Sequence, residues 1–426
     1  MAVAAADIRA AVMAQRDKAH LLFDRLAACS SGGAGITRTT YGEGENQAHR
    51  LVRAFAAELG LETRQDHAAN SYMTLPGRDR AKPAVLIGSH LDSVPNGGNF
   101  DGAAGVVAGL LGIAALQALG ITPERDITVM AVRAEESVWF QVSYIGSRGA
   151  LGTLPDGAME ARRIDSGRTL AEHLAECGGD PQALRAGPPF LDPARIHAFL
   201  EVHIEQAPSL LEAGCPVGLC TGIPGNFRFP NAQVSGRHDH VGTPRRFRRD
   251  AMMAAAELAG AMDAVWQETE AAGDPMAITF GRFHTDPDMH GMTTVPGAFH
   301  FSLDVRAYDA RVLAAVEARF REIIAGIEQR RGVSFALGKR AHAEVGEVSR
   351  PIYQALADGA AELAIPVLPL GSPASHDAAA FAAAGVPIGM LFVRNEHGSH
   401  NPDEAMDVAD LLAATSILTW WLAREA

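Results

Sequence analysis

The stretch PAVLIGSHLDSVPNGGNFDGAAGVVAGLLGIAALQALG, residues 83–120, decides the reading of the fold. Its opening, PAVLIGS, is short, apolar and bounded by Pro and Gly, which predicts a buried strand. That strand runs directly into His90. A Gly- and Asn-rich loop, NGGNFDG, follows. AAGVVAGLLGIAALQALG then predicts a buried helix that ends at Gly120. Strand and helix in this order point to a parallel α/β sheet.

Upstream, helical spacing of apolar residues predicts a helix over 7–29, a Gly- and Ser-rich loop at Cys29–Ile36, and a second helix over 45–60 closed by Gly60. Downstream, ITVMAV (127–132), HAFLEV (197–202) and VPIGMLFV (386–393) predict three more buried strands. They lead into Glu135–Glu136, into His203 and towards His400. Ligands of open α/β sheets sit beyond the carboxyl ends of the strands. His90, Asp101, Glu136, His203 and His400 all fall at such ends or in the loops just after them. Residues 221–335 differ. FRFPNAQVSG and AFHFSLDVRAYD alternate like half-buried antiparallel strands, with helices near 250–270 and 308–331. The expected architecture is therefore α/β. A mostly parallel-sheet catalytic domain, 1–220 with 336–426, carries an inserted smaller α+β domain, 221–335.

A chain of 426 residues is too long for one ordinary core, which supports two domains. With 47% hydrophobic and 20% charged residues it folds as a globular protein. A net charge of -13 argues against nucleic acid as the main partner, because phosphate binding needs a basic face. Cys29, Cys177, Cys215 and Cys220 form no C-x-x-C pair, so neither a zinc-thiolate site nor a disulfide framework is expected and a cytoplasmic setting is the default. The N-terminal residues lack a basic-then-apolar signal layout, and no stretch is long and apolar enough for a membrane span.

Each candidate ligand, taken alone, reads two ways. His90-Leu91-Asp92 is a strand-end histidine beside a solvated acid, or a ligand whose second ring nitrogen is held by Asp92. Asp101 is a helix N-cap, or a carboxylate able to bridge two metals with its two oxygens. Glu135 and Glu136 are surface acids, or a general base beside a metal ligand. His203 and His400 taken singly read as structural.

The ordered set H-x-D, N-F-D-G, E-E, H-I-E-Q and a late G-S-H resembles peptidase family M20. Within it, the chain is similar to the hydantoinase/carbamoylase branch of N-carbamoyl-L-amino acid hydrolases, allantoate amidohydrolases and β-ureidopropionases. GSHLDSVPNGGNFDGAAGV, EES followed by Phe140 to Arg148 (F-x5-GSR), HIEQAPSLLEAG, GIPGNFR, HVGTP with RRDAM, PGAFHFSLDVR, ASHDA and GSHNPDE carry the resemblance across nearly the whole chain. It implies two divalent ions per subunit, with Zn2+ first and Mn2+ or Co2+ as alternatives. One ion takes His90, Asp101 and His203; the other takes Asp101, Glu136 and His400. Glu135 is the base that moves the proton of the attacking water, and Asp92 supports His90.

The resemblance also implies that His240 donates to the oxyanion in a neighbouring subunit's site, and hence a homodimer. It implies that Arg306 clamps a substrate carboxylate, with Gln206, Arg228, Thr293 and Ser375 as further substrate contacts. The implied reaction converts an N-carbamoyl-L-amino acid to amino acid, CO2 and ammonia. An allantoate or ureidoglycolate amidohydrolase and an N-acyl deacylase or dipeptidase are the alternatives. A non-catalytic metal-bound protein would have lost the base or a ligand, and this chain keeps them.

Three positions depart from the branch pattern. Thr293 stands where an asparagine is usual, and a hydroxyl cannot replace an amide's paired donor and acceptor. HVGTP is one residue shorter than the common H-A-G-T-x-P. Trp139 replaces an arginine. These changes suggest a bulkier or less polar leaving portion than in a simple carbamoyl amino acid. The run Arg245, Arg246, Arg248, Arg249 reads as a solvated helix start or subunit contact, with an anion site as the alternative.

Overall fold

A computed structural model describes residues 3–30 and 32–426. It divides into two compact units, Met1–Ile223 with Glu347–Ala426, and Pro224–Gly346. In chain order the strands are β1 (Glu62–Gln65), β2 (Ser71–Leu75), β3 (Ala84–His90), β4 (Ile127–Val132), β5 (Ile196–Ile204), β6 (Val217–Cys220), β7 (Gly225–Ser235), β8 (Asp239–His240), β9 (Met276–Thr279), β10 (Phe283–Thr285), β11 (Thr294–Val295), β12 (Ala298–Ala307), β13 (Ser334–Ala336), β14 (Ala341–Ala343), β15 (Val367–Leu370) and β16 (Ile388–Val393).

The first unit is built on an eight-stranded sheet of order β1-β2-β4-β3-β5-β16-β6-β15. Its centre, β4-β3-β5-β16, is parallel. Every residue of β4 and of β16 is buried, as expected for strands covered on both faces. The helix Ala103–Ala118 is apolar on all sides and almost wholly buried. It presses on the sheet so closely that a Cβ on Gly105 would meet the Val202 carbonyl oxygen at 2.1 Å. Close helix–sheet packing thus fixes the glycine and, with it, the loop before the helix.

Four expectations change. The sheet is mixed outside its parallel centre, since β2 runs antiparallel to β4 and β6 antiparallel to β16, while the edge strand β15 runs parallel to β6. The single helix over 7–29 is two helices, Ala5–Met13 and Arg16–Ala27. His203 lies within β5 rather than after it. The inserted unit extends past residue 335, because β13 and β14 both pair with β7. Alternation in 221–335 cannot show this, as the β13 and β14 segments are too short to display a period.

The second unit is an antiparallel sheet, β10-β12-β7-β13, with β9 on β12 and β14 on β7. β12 alternates strictly between half-buried and buried residues. Phe299, Phe301, Leu303 and Val305 join Leu258, Met262, Phe320 and Ile327 of the helices Ala251–Ala271 and Ala310–Arg331 in one core. No helix among the described residues is long and apolar enough to cross a membrane.

One buried ion pair fixes the turn that follows β4. Glu45 and Arg133 lie 2.9 Å apart, both buried. Glu45 also accepts the N–H groups of Tyr41 (2.7 Å) and Ala134 (3.0 Å), and Ala134 is held at φ 58. Removing one partner of a buried pair leaves a charge without compensation. Glu45→Ala is expected to destabilise the first unit by about 3–5 kcal/mol, read as a lower urea midpoint. Glu45→Gln is expected to retain part of that loss, since it keeps the hydrogen-bonding oxygen.

Candidate active site

The site assembles at the carboxyl ends of β3, β4 and β5. β3 ends at His90, whose Nδ1–H donates to the Asp92 carbonyl (3.1 Å). β5 delivers His203, whose Nδ1–H donates to the Ile204 carbonyl (2.9 Å). With both Nδ1 atoms spent as donors, the Nε2 atoms are the ones left to hold a proton against a carboxylate or, once deprotonated, to offer a lone pair to a metal. They converge on one oxygen, Asp101 Oδ1, at 3.3 and 3.2 Å. The other oxygen, Asp101 Oδ2, lies 3.6 Å from His400 Nε2, and Glu136 Oε1 lies 3.5 Å from that same nitrogen. Glu135 Oε2 stands 4.0 Å from His90 Nε2.

Two ligand sets therefore share Asp101: His90, Asp101 and His203, and Asp101, Glu136 and His400. In each, the potential ligand atoms face one another, at 3.2 and 3.3 Å in the first set and at 3.5 and 3.6 Å in the second. Ligands at about 2.0–2.2 Å from a tetrahedral ion sit roughly 3.3–3.6 Å apart. The spacing and the mixture of imidazole and carboxylate donors fit divalent zinc, manganese or cobalt. The sets differ in access, since His90 and His203 are buried whereas the His400 side chain is 52% exposed.

Electrostatics follow from burial. Desolvation raises the Glu135 carboxyl well above its usual range, with Glu136 adding to it and His90 opposing it. Desolvation likewise raises Glu136, and Asp101 adds to it. Burial works to raise Asp101 too, but His203 and then His90, whose own pKa values this carboxylate raises, outweigh it as imidazolium ions and hold that carboxyl well below its ordinary value; a divalent cation would stand in for those protons.

The residues around the ligands lock them. Asp92 lies 3.4 Å from His90 Nδ1 and accepts the Glu135 and Glu136 N–H groups (3.1 and 3.2 Å) and the Thr40 hydroxyl (2.5 Å). Asp92 thus ties the end of β3 to the turn after β4, its backbone carbonyl accepting from His90 Nδ1 and its carboxylate accepting from the turn. Asp101 is not the helix cap. That position is Gly102, at φ 65, with no side-chain cap, so the Asp101 carboxylate is turned instead to the histidines. A Cβ on Gly102 would come within 2.5 Å of the His90 ring, which only glycine avoids.

Sequence reasoning missed several supports. Glu404 accepts the Phe100 and Asp101 N–H groups (2.9 and 3.2 Å) and lies 2.6 Å from Ser399 Oγ, which is 2.6 Å from Asp101 Oδ2. Glu201 accepts from the Ser89 hydroxyl (3.1 Å) and the Ala378 N–H (2.8 Å), and the His376 ring packs 4.4 Å from that of His203. Glu201, His203 and His376 also come within ligand reach of one another. Both Glu201 oxygens are already occupied, so this group supports the site rather than adding a third ion position. Burial, then Glu201, pushes the Asp377 carboxyl up to about 8, and Ser147 donates to it (2.5 Å). The strings GSHNPDE and ASHDA contain Glu404, His376 and Asp377. The missing signal was their pairing partners, which lie far away in sequence.

Of the expected substrate residues, Gln206 donates through Nε2 to Asp101 Oδ2 (2.7 Å) and sits at φ 65, while its Oε1 is buried without a partner among the described residues. Ser375 Oγ is likewise buried without one. The second unit holds the others. Arg228 and Arg306 share the Asp304 carboxylate at 2.6 and 3.0 Å. His240 is exposed, its Nδ1 accepting the Gly242 N–H (3.1 Å). It lies opposite Thr294 in the β8–β11 ribbon, and the Thr293 carbonyl accepts the Val241 N–H (2.9 Å). His240 and Thr293 are therefore neighbours. Trp139 is a correction: it is buried, packs with Tyr41, Phe140 and Met159, and donates through Nε1 to the Ser93 carbonyl (2.8 Å). Its replacement of arginine serves the core.

The model of peptidase family M20/M25/M40 matches residues 86–424. An N-carbamoyl-L-amino acid amidohydrolase of Geobacillus stearothermophilus is 34% identical over 395 residues, covering 92% of this chain and 94% of the relative. Allantoate amidohydrolase of Escherichia coli (strain K12) is 30% identical over 397 residues, covering 91% and 92%. The crystal structure of an amidase of the hydantoinase/carbamoylase family from Burkholderia multivorans superposes with a TM-score of 0.83 at 27% identity, covering 96% of this chain and 97% of that one.

Because Asp92 orients both His90 and the Glu135–Glu136 turn, Asp92→Asn is expected to weaken divalent-ion binding about 10- to 100-fold. Competition against a chromogenic chelator measures this, with circular dichroism reporting that the fold is kept. Unchanged affinity would remove Asp92 from the site's supports.

Proposed function

As the chain belongs to peptidase family M20/M25/M40, we propose that it is a metal-dependent amidohydrolase of linear, non-peptide C–N bonds, and that its substrate is an N-carbamoyl-L-amino acid or a close ureido relative. The observation that carries this is the split Asp101 carboxylate. One oxygen faces His90 and His203, the other faces His400, and Glu135 stands beside them. His90, Asp101 and His203 would hold one ion, and Asp101, Glu136 and His400 a second. Zn2+ comes first, with Mn2+ and Co2+ as alternatives. Such ions supply Lewis acidity and lower the pKa of water.

The chain's own residues do the rest. Glu135, its basicity raised by burial, takes a proton from the attacking water as the water oxygen bonds to the ureido carbonyl carbon. It returns that proton to the leaving nitrogen as the C–N bond breaks. Breaking that one C–N bond of an N-carbamoyl amino acid gives the amino acid and carbamic acid, and the carbamic acid then falls apart to CO2 and ammonia. Arg306 and Arg228, which share the Asp304 carboxylate, are the guanidinium groups that would clamp a substrate carboxylate. Gln206 and Ser375 each bring an unpartnered polar atom to the site. His240 donates to the oxyanion of the partner's site, which makes the working form a homodimer. Thr293 in place of an amide favours a bulkier or less polar leaving portion. The 30% identical allantoate amidohydrolase supports allantoate as the second reading. The enzyme acts in the cytoplasm, without nucleic acid or membrane partners.

Glu135→Gln is expected to lower kcat by about 10²- to 10⁴-fold with bound metal unchanged. Full turnover by that variant would rule out the base. A panel of ureido, N-formyl, N-acetyl and dipeptide substrates, scored by ammonia release, separates the ureido reading from a deacylase or peptidase. Mixing Glu135→Gln with His240→Ala subunits is expected to restore activity, because a hybrid dimer contains one site with both residues intact.

A further inference from the structure

The second unit carries a cavity of about 1470 Å3 that the proposed reaction does not use. Arg245, Arg246, Arg248 and Arg249 line it from the segment leading into the helix Ala251–Ala271, and Arg330 and Arg331 line it from the end of the helix Ala310–Arg331. The acids at hand are already engaged. Glu257 pairs with both Arg330 (2.7 Å) and Arg331. Asp250 accepts the Met253 N–H as the helix cap (3.0 Å). Arg248 donates to the Val241 carbonyl and to the Thr243 carbonyl (2.6 Å), which places the guanidinium without neutralising it. Among the described residues, Arg245, Arg246 and Arg249 pair with no carboxylate. With Arg237, which pairs with Asp239 (2.7 Å), seven guanidinium groups line the cavity against the carboxylates of Asp239, Asp250 and Glu257, a surplus of four positive charges in a chain whose net charge is -13.

A solvated helix start needs no such convergence. These charges come from two separate segments, and their mutual repulsion is relieved only by screening or by an anion. The planar forks of arginine match phosphate oxygens two at a time. A dicarboxylate brings two charges and leaves half of the four uncompensated. Two linked phosphates bring roughly three to four. The cavity is a groove open to solvent, and its volume exceeds the roughly 300–1,000 Å3 of pockets that hold drug-sized ligands, so a linked chain has room. Phe247, 54% exposed, borders it with Arg246 stacked on its ring (4.5 Å).

We infer that this cavity is a binding site for a diphosphate group, free or as the tail of a nucleotide. The metal-loaded enzyme is titrated calorimetrically with pyrophosphate, orthophosphate and ADP. The expected result is one pyrophosphate per chain with micromolar affinity that falls as salt rises, and weaker orthophosphate binding. Arg245→Ala with Arg249→Ala is expected to weaken pyrophosphate binding at least about tenfold while ureidase activity stays unchanged. Tighter ADP than pyrophosphate identifies a nucleotide as the source, and equal or weaker ADP an inorganic one. Binding that survives the double substitution but is lost on chelation belongs to the metal centre and overturns the inference. So does an absence of binding accompanied by a changed oligomeric state of the double variant, which would make the cavity a subunit contact.

Discussion

The two oxygens of Asp101 divide one negative charge between two sets of donors. Oδ1 faces two buried imidazoles, and Oδ2 faces an exposed one. A buried carboxylate is costly unless it is partnered, and the fold meets that cost with contacts from three parts of the chain. Gln206 and Ser399 bond its outer oxygen, and Glu404 holds its backbone through the Asp101 N–H. The packing of the helix Ala103–Ala118 against the sheet sets where the preceding loop can place it. If this carboxylate turned to cap that helix, neither ligand set would exist.

Much of this was legible in the sequence because it is local. The buried strands β3, β4 and β16 announce themselves as uninterrupted apolar runs, and the ligand positions follow from where those runs stop. The pairing of His90 with Asp92 needs only two residues of separation. What stayed hidden depends on distant partners. Glu201 looks like one acid in an apolar strand until Ser89 and the start of the helix Asp377–Ala383 are brought to it. Glu404 looks like a turn residue until Phe100 and Asp101 arrive. The direction of a strand is also silent in its composition, so the antiparallel flanks of the sheet could not be read from β2 or β6.

Trp139 and Thr293 show how differently two departures from one pattern behave. Both stand at positions where the resemblance suggests a change of substrate. Trp139 is absorbed by a core of aromatic and apolar side chains and anchors the segment after Glu136 to Ser93. Thr293 lies exposed beside His240, where a side chain is free to meet a ligand. The two departures thus differ in their surroundings: Trp139 is enclosed by side chains, whereas Thr293 is open to solvent.

The order of strands has a consequence for how the protein is made. β16 lies between β5 and β6 in the sheet, yet it is synthesised after the whole of the second unit. A nascent chain that has already emerged through β6 therefore has a gap in the middle of its sheet, and it still lacks His400, Ser399 and Glu404. These long-range pairings give the first unit a high contact order and defer its closure until β16 has been made. The centre is consequently assembled only after the second unit and β16 have both been made, and a product that stops after β6 exposes two unsatisfied strand edges instead of a partial enzyme.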